Sequence, residues 1–197
     1  EEDRYLNFEK WWGGFFMMNT DEIHYIVRNL FVGNKLEQGQ LELREGQKIS
    51  LKNIESPIIV FASEGDNITP TQQALNWIPR VYSSVEDIKR HGQVIIYIVH
   101  QNIGHLGIFV AGSVAKKEHN EIIGNFDIID FLSPGLYEMV IEGDVKSGKF
   151  SSQFVPRTFA DIAAYDDGTT DEADFSVVSK VSEANDNVYQ LLMRPWV

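Results

Sequence analysis

The sequence contains no cysteine. That absence excludes a thiol nucleophile, a thiolate zinc site, an iron–sulfur cluster and a disulfide framework from these residues. Basic residues are scarce, 17 Lys and Arg against 29 Asp and Glu, for a formal net charge of −12. Such a surface repels a phosphate backbone and no basic stripe offsets it, so nucleic acid is not an expected partner. Long apolar runs are missing as well. Ile58 to Ala62 and Val94 to Val99 fall far short of the roughly 20 residues that a membrane-spanning helix needs. No basic start precedes an apolar stretch, so neither a signal peptide nor a membrane span is read, and a cytoplasmic location is the expectation.

The rest of the composition is ordinary. Of 197 residues, 43% are hydrophobic and 23% charged, enough for a core that needs neither disulfide nor metal, and no cofactor is expected. The chain opens on Glu1-Glu2-Asp3 without a methionine and closes on Pro195-Trp196-Val197. Both ends read as cut ends.

Apolar spacing divides the chain into four regions. Residues 1–56 read as a cap-like helix and hairpin. Phe8, Trp11, Trp12, Phe15, Phe16, Met17 and Met18 surround Gly13-Gly14, dense enough for a cap or a subunit contact, with packing onto a parent core the plainer expectation. Asn19 with Glu22 is a capping-box pair, and Ile23, Ile26, Val27, Leu30 and Phe31 follow at helical spacing, predicting a helix from Asn19 to Leu36. Leu41, Leu43, Ile49 and Leu51 alternate across Glu45-Gly46-Gln47 as a small hairpin.

Residues 57–134 have a different texture. The two continuous β-branched runs predict strands buried on both faces, as in a parallel sheet covered by helices. Between them, a helix start at Thr69-Pro70 and a second helix near Ser84 to His91 make a β-α-β unit with a right-handed crossover as its default. A helix is expected from Ile108 to Asn120, with a short apolar element from Phe126 to Leu132. Residues 135–165 read as a hairpin extension, Leu136 to Ile141 answered by Phe150 to Val155. Residues 166–197 read as an acidic linker, within Tyr165 to Glu172, and the start of a helical extension with no visible partner. The expected class is α/β.

Ligands and catalytic groups of open α/β sheets gather beyond the carboxyl ends of the strands. Asp66, in EGDNITP, follows the first buried run, and His105, in NIGHLG, follows the second. Strands that are neighbours lie about 4.8 Å apart, so two loops leaving one edge can set a carboxylate against an imidazole nitrogen. A carboxylate so placed fixes the ring's tautomer and stabilises the imidazolium formed when His takes a proton from a nucleophile. Gly104 and Gly107 would leave room around the ring. Against this, Asp66 would serve equally as a turn or capping residue. A metal reading of Glu64, His100 and His105 lacks ligand spacing, and His24, His91 and His119 read as structural or solvated. The nucleophile is missing: neither Ser63 nor Ser113 has the two glycines of a G-x-S-x-G turn.

The ordered set YIVRNLFVGNKL, EGDNITP and GHLG resembles the C-terminal half of the polyhydroxyalkanoate synthase group of α/β-hydrolases. The segments Phe8 to Gly14 and Gly112 to His119 resemble more closely a proteobacterial synthase-like branch classed as a domain of unknown function. The resemblance covers at least Tyr5 to Ile141 and implies the C-terminal part of an α/β-hydrolase fold. It implies Asp66 as the catalytic acid and His105 as the general base. The synthase nucleophile, a cysteine in a lipase-like box acylated by a hydroxyacyl-coenzyme A thioester, has no counterpart here. The resemblance therefore implies a partner for the site, either a missing N-terminal half or a separate chain that carries the nucleophile. After Gly107 the chain has Ile108-Phe109-Val110 where the synthases have Asn-Pro-Pro, which places ester or thioester hydrolysis beside acyl transfer. A homo-oligomer is compatible with either. The rival expectation is a non-catalytic interaction module, in which the aromatic segment and the apolar helix bind a partner and Asp66 and His105 are capping residues. The Asp66 to His105 distance discriminates between them.

Overall fold

The computed structural model describes residues 2–44, 46–144, 147–166 and 170–196. Helix α1 (Glu2–Trp12) buries none of its side chains, and Trp11, Trp12, Phe15, Phe16 and Met17 stand exposed in this chain. Helix α2 (Thr20–Ile26) begins at the expected capping box. The Glu22 backbone N–H donates to the Asn19 side chain at 2.9 Å, and the Asn19 N–H donates to the Glu22 carboxylate at 2.8 Å. A π-helical turn, Val27–Phe31, prolongs it. The helical path stops short of Leu36 because Asn34 takes a φ of 46°, a left-handed conformation that Asn tolerates better than most residues.

Strands β1 (Leu41–Arg44) and β2 (Gln47–Ile49) form the expected hairpin, with Leu41 opposite Ile49 and Gly46 turning at a φ of 80°. Glu45, part of the expected turn, lies outside the described residues. The two β-branched runs become β3 (Ile58–Ser63) and, after helices α3 (Thr71–Leu75), α4 (Trp77–Val81) and α5 (Val85–Arg90), β4 (Val94–His100). They pair in parallel from Ile58 against Ile95 to Ser63 against His100, so both end at one level.

The single helix expected over 108–120 is broken. Helix α6 (Gly107–Val110) ends at Ala111, whose ψ of 123° is extended, and α7 (Gly112–Val114) restarts the path. Two glycines and the β-branched Ile108 and Val110 make this the weakest helix-forming stretch of the segment. The path then runs through a π-helical turn, Ala115–His119, into α8 (Asn120–Gly124) and α9 (Phe126–Asp130).

Strands β5 (Gly135–Asp144) and β6 (Lys149–Pro156) pair antiparallel as the alternation predicts. They do not stand apart from the main sheet. Val94 to Tyr97 of β4 pair in parallel with Gly135 to Glu138 of β5, which gives a four-stranded sheet ordered β3-β4-β5-β6. Helix α10 (Phe159–Ala163) follows. Of the expected acidic linker, residues 167–169 lie outside the described residues, and Thr170 already opens α11 (Thr170–Val188). This helix has a partner that its sequence does not announce. Asp186 accepts from the Arg28 guanidinium at 2.6 Å, and Ser179 Oγ donates to the Val32 carbonyl at 3.3 Å.

Residue parity along β4 assigns the covering helices to faces. Ile95 and Tyr97 pack with Leu75, Ile78, Tyr82 and Ile88 of the first crossover and Ile162 of α10. Val94, Ile96 and Ile98 face the other way, against Ile122 and Ile129 of the second crossover. Continuous apolarity in β4 is thus explained by helices on both faces. Both crossovers step the same way across the sheet, yet they lie on opposite faces, so their hands are opposite. One of them departs from the right-handed rule that nearly all such connections obey.

Candidate active site

The common end level of β3 and β4 puts their outgoing loops side by side. The Glu64 N–H donates to the His100 carbonyl at 2.9 Å, one step beyond the ladder. Asp66 then turns its carboxylate inward, with 2% of its side chain exposed. Oδ1 accepts from the Ile68 and Thr69 backbone N–H groups at 2.9 and 3.0 Å. That is the capping geometry expected of EGDNITP. Oδ2 lies 2.8 Å from His105 Nδ1. Capping and pairing are therefore compatible, because the two oxygens divide the tasks.

With a carboxylate on one side, Nδ1 is the nitrogen that carries the proton and donates it, leaving Nε2 as the proton-accepting atom of a neutral ring. The His105 side chain is 36% exposed, so the ring is anchored at its inner edge and open at its outer one. Burial opposes ionisation of Asp66, but the Thr69 N–H, the His105 ring and the Ile68 N–H together outweigh it. The carboxyl group is held below its ordinary value of 3.8.

The two flanking glycines differ from each other. A Cβ on Gly104 would meet no atom within 4 Å beyond its own chain neighbours. A Cβ on Gly107 would come within 2.5 Å of Ile103 Cγ1, so Gly107 accommodates the Ile103 side chain. Gly65 has no motif to single it out, yet a Cβ there would lie 2.8 Å from the Asn102 carbonyl carbon and 2.9 Å from Ile103 N. The two loop backbones touch. Ser63, fully buried, also escapes notice as a site residue: a lone serine ending an apolar run carries no motif. Its side chain is buried and bonds to the backbone of the histidine loop.

Other candidates resolve into separate roles. His100 points to the opposite face of β4 from Val99, where Nδ1 accepts from the Asn102 N–H at 3.1 Å and Nε2 lies 3.8 Å from the buried Glu118. His91 Nδ1 meets the Asp87 carbonyl at 2.8 Å, and His119 sits edge-on to Phe61. Among the described residues no group of three His, Asp or Glu is placed to hold a metal ion, and no helix is long and apolar enough to cross a membrane. A cleft of about 470 Å³ beside Arg28 and Asp186, and another of about 400 Å³ at His100 and Glu118, leave out both Asp66 and His105.

The family model described as "Protein of unknown function (DUF3141)" matches residues 1–197. The chain belongs to this family. The DUF3141 chain is 47% identical, over 206 aligned positions, to a protein of Rhizobium meliloti described as "Uncharacterized protein in ackA 5'region". That alignment covers 100% of the chain and 28% of the relative. The DUF3141 chain therefore spans little more than a quarter of the curated relative it matches. No solved structure matches it. Family membership agrees with the domain-of-unknown-function part of the expected resemblance, and neither description mentions an activity.

Proposed function

We propose that the chain supplies the acid and the base of a nucleophile-His-Asp relay within a longer protein that transfers acyl groups or hydrolyses esters or thioesters. The observation that carries this reading is the 2.8 Å contact between Asp66 Oδ2 and His105 Nδ1 at the ends of adjacent parallel strands. The resemblance to polyhydroxyalkanoate synthase-like α/β-hydrolases supports it and points to a substrate of the hydroxyacyl-thioester or ester kind.

The chemistry follows from the ring's orientation. His105 Nε2 takes the proton of the incoming nucleophile as that nucleophile attacks the acyl carbonyl carbon. Asp66 offsets the positive charge that the ring gains, and its two backbone bonds keep the carboxylate from following the ring. As the tetrahedral intermediate collapses, the imidazolium returns the proton to the leaving group. A water activated by the same nitrogen then releases the acyl group; an acceptor hydroxyl in its place gives transfer. Nucleophile, oxyanion donors and pocket walls come, in this reading, from the part of the longer protein outside the chain. In this reading that part joins at the side of β3 that pairs with no described strand.

The test uses the full-length gene product. Release of nitrophenolate from p-nitrophenyl butyrate and of thiol from a hydroxybutyryl thioester should fall by at least about a hundredfold in His105→Ala, the scale of a lost general base. Equal rates in wild type and His105→Ala would sink the relay. They would favour the second reading, an interaction module, whose support is the exposed aromatic segment from Trp11 to Met17.

A further inference from the structure

Resting on the relay reading, we propose that Ser63 is the positioning residue that sets the distance between Asp66 and His105. Its hydroxyl is a knot between the acid loop and the histidine loop. Ser63 Oγ–H donates to the Ile103 carbonyl at 2.7 Å, and Oγ accepts from the Ile103 N–H at 3.2 Å and from the Gly65 N–H at 3.2 Å. One donor and two acceptor sites are all that a serine hydroxyl has, and each is used. Gly65 immediately precedes Asp66, and Ile103 lies two residues before His105.

The surrounding structure transmits this position rather than absorbing it. The Asp66 N–H donates to the Ser63 carbonyl at 3.2 Å, so the carboxylate hangs from the same residue as the knot. On the other loop the Gly107 N–H closes a turn onto the Gly104 carbonyl at 2.8 Å, and Ile103 fills the space left by the missing Gly107 Cβ. Moving Ile103 therefore moves the turn that carries His105. Contact between Gly65 and the backbone of Asn102 and Ile103 stops the loops from coming closer. The hydroxyl stops them from parting. Without it, the Gly65 and Ile103 N–H groups lose their shared acceptor at this part-buried site, and water that takes its place bonds each loop separately instead of tying one to the other. The Asp66 to His105 bond is what parting of the loops stretches.

The experiment uses full-length protein with ¹⁵N-labelled histidine, comparing wild type, Asp66→Asn and Ser63→Ala. The readouts are solvent exchange of the His105 Nδ1 proton, thermal stability and steady-state hydrolysis of p-nitrophenyl butyrate. Wild type is expected to show a downfield, protected Nδ1 proton that Asp66→Asn abolishes. Ser63→Ala is expected to speed its exchange at least about tenfold and to lower kcat by roughly ten- to a hundredfold with KM unchanged, the scale of an ångström-sized misplacement. A lowered Tm with an unchanged Nδ1 proton and unchanged kcat would overturn the proposal and leave Ser63 a structural residue. Should Asp66→Asn leave the Nδ1 proton as in wild type, the relay reading itself falls, and the proposal falls with it. If Ser63→Ala does not fold, Ser63→Cys, close in size but a weak hydrogen-bonding group, is read by the same criteria.

Discussion

A carboxylate that accepts two backbone N–H bonds on one oxygen and faces an imidazole with the other is a pH-sensitive joint. Asp66 has a folded-state pKa below its ordinary 3.8. The folded state therefore binds its proton less readily than the unfolded chain does. Its stabilising contribution is complete above that ordinary value and disappears as pH falls through the lower folded one. The neutral amide of an Asp66→Asn variant would keep the Oδ1 bonds to Ile68 and Thr69 and lose the charge. The Tm of Asp66→Asn should therefore lie below that of wild type near neutrality and converge on it as pH falls from above the ordinary 3.8 through the lower folded-state value. A gap that stays constant across that range would mean that the charge contributes nothing. Asp66 and His105 were legible because each follows a continuous apolar run, and runs of that kind end at one sheet edge. Ser63 and Gly65 were not legible, because their partners are backbone atoms of the other loop, which have no side-chain signature.

Elements divide along the same line between local and non-local information. The capping box at Asn19 and Glu22, the hairpin of β1 and β2, and the alternation of β5 and β6 are set by near neighbours in sequence, and each forms as its pattern implies. The parallel pairing of β5 with β4 brings together segments separated by residues 101–134, and no periodicity encodes it. Nor does periodicity encode the opposite hands of the two crossovers. The broken path of α6 to α9, rather than one long helix, gives the second connection the freedom to cover the face the first one leaves open. Burial predicts how stability is distributed over these elements. Ile95, Ile96 and Tyr97 are fully buried in β4, the two isoleucines each stabilising by about 1.5–3 kcal/mol, whereas α1 buries none. Amide hydrogen exchange should therefore be slowest at Ile95 to Ile98, through global unfolding, and fast throughout α1. Protection in α1 equal to that of β4 would contradict this ordering and would require a covering surface over the aromatic segment.

At the scale of the whole molecule two forces oppose each other. Exposed Phe15, Phe16, Met17 and Phe31, with exposures of 80%, 98%, 87% and 80%, favour association. Next to them in effect is β3, which pairs with β4 on one side and with no described strand on the other, a template for further pairing. A net charge of −12 resists, since every copy repels every other. The balance depends on salt, because the screening length falls from about 30 Å at 0.01 M to about 8 Å at 0.15 M. The chain expressed by itself should sediment as a smaller species at low salt and associate reversibly as salt rises, while an apolar dye binds it at every salt concentration. Replacing Phe15, Phe16 and Met17 together by serine should lower dye binding and the salt-induced association. It should leave the far-ultraviolet circular dichroism unchanged, since none of the three packs into the core. In the full-length protein the same substitution should destabilise, because packing onto a parent core is the plainer expectation for so dense an aromatic segment. Unchanged stability there, with dye binding as strong as in the isolated chain, would mean that the aromatic segment faces solvent in the whole protein too. It would then be available to a separate partner, as the interaction-module reading requires.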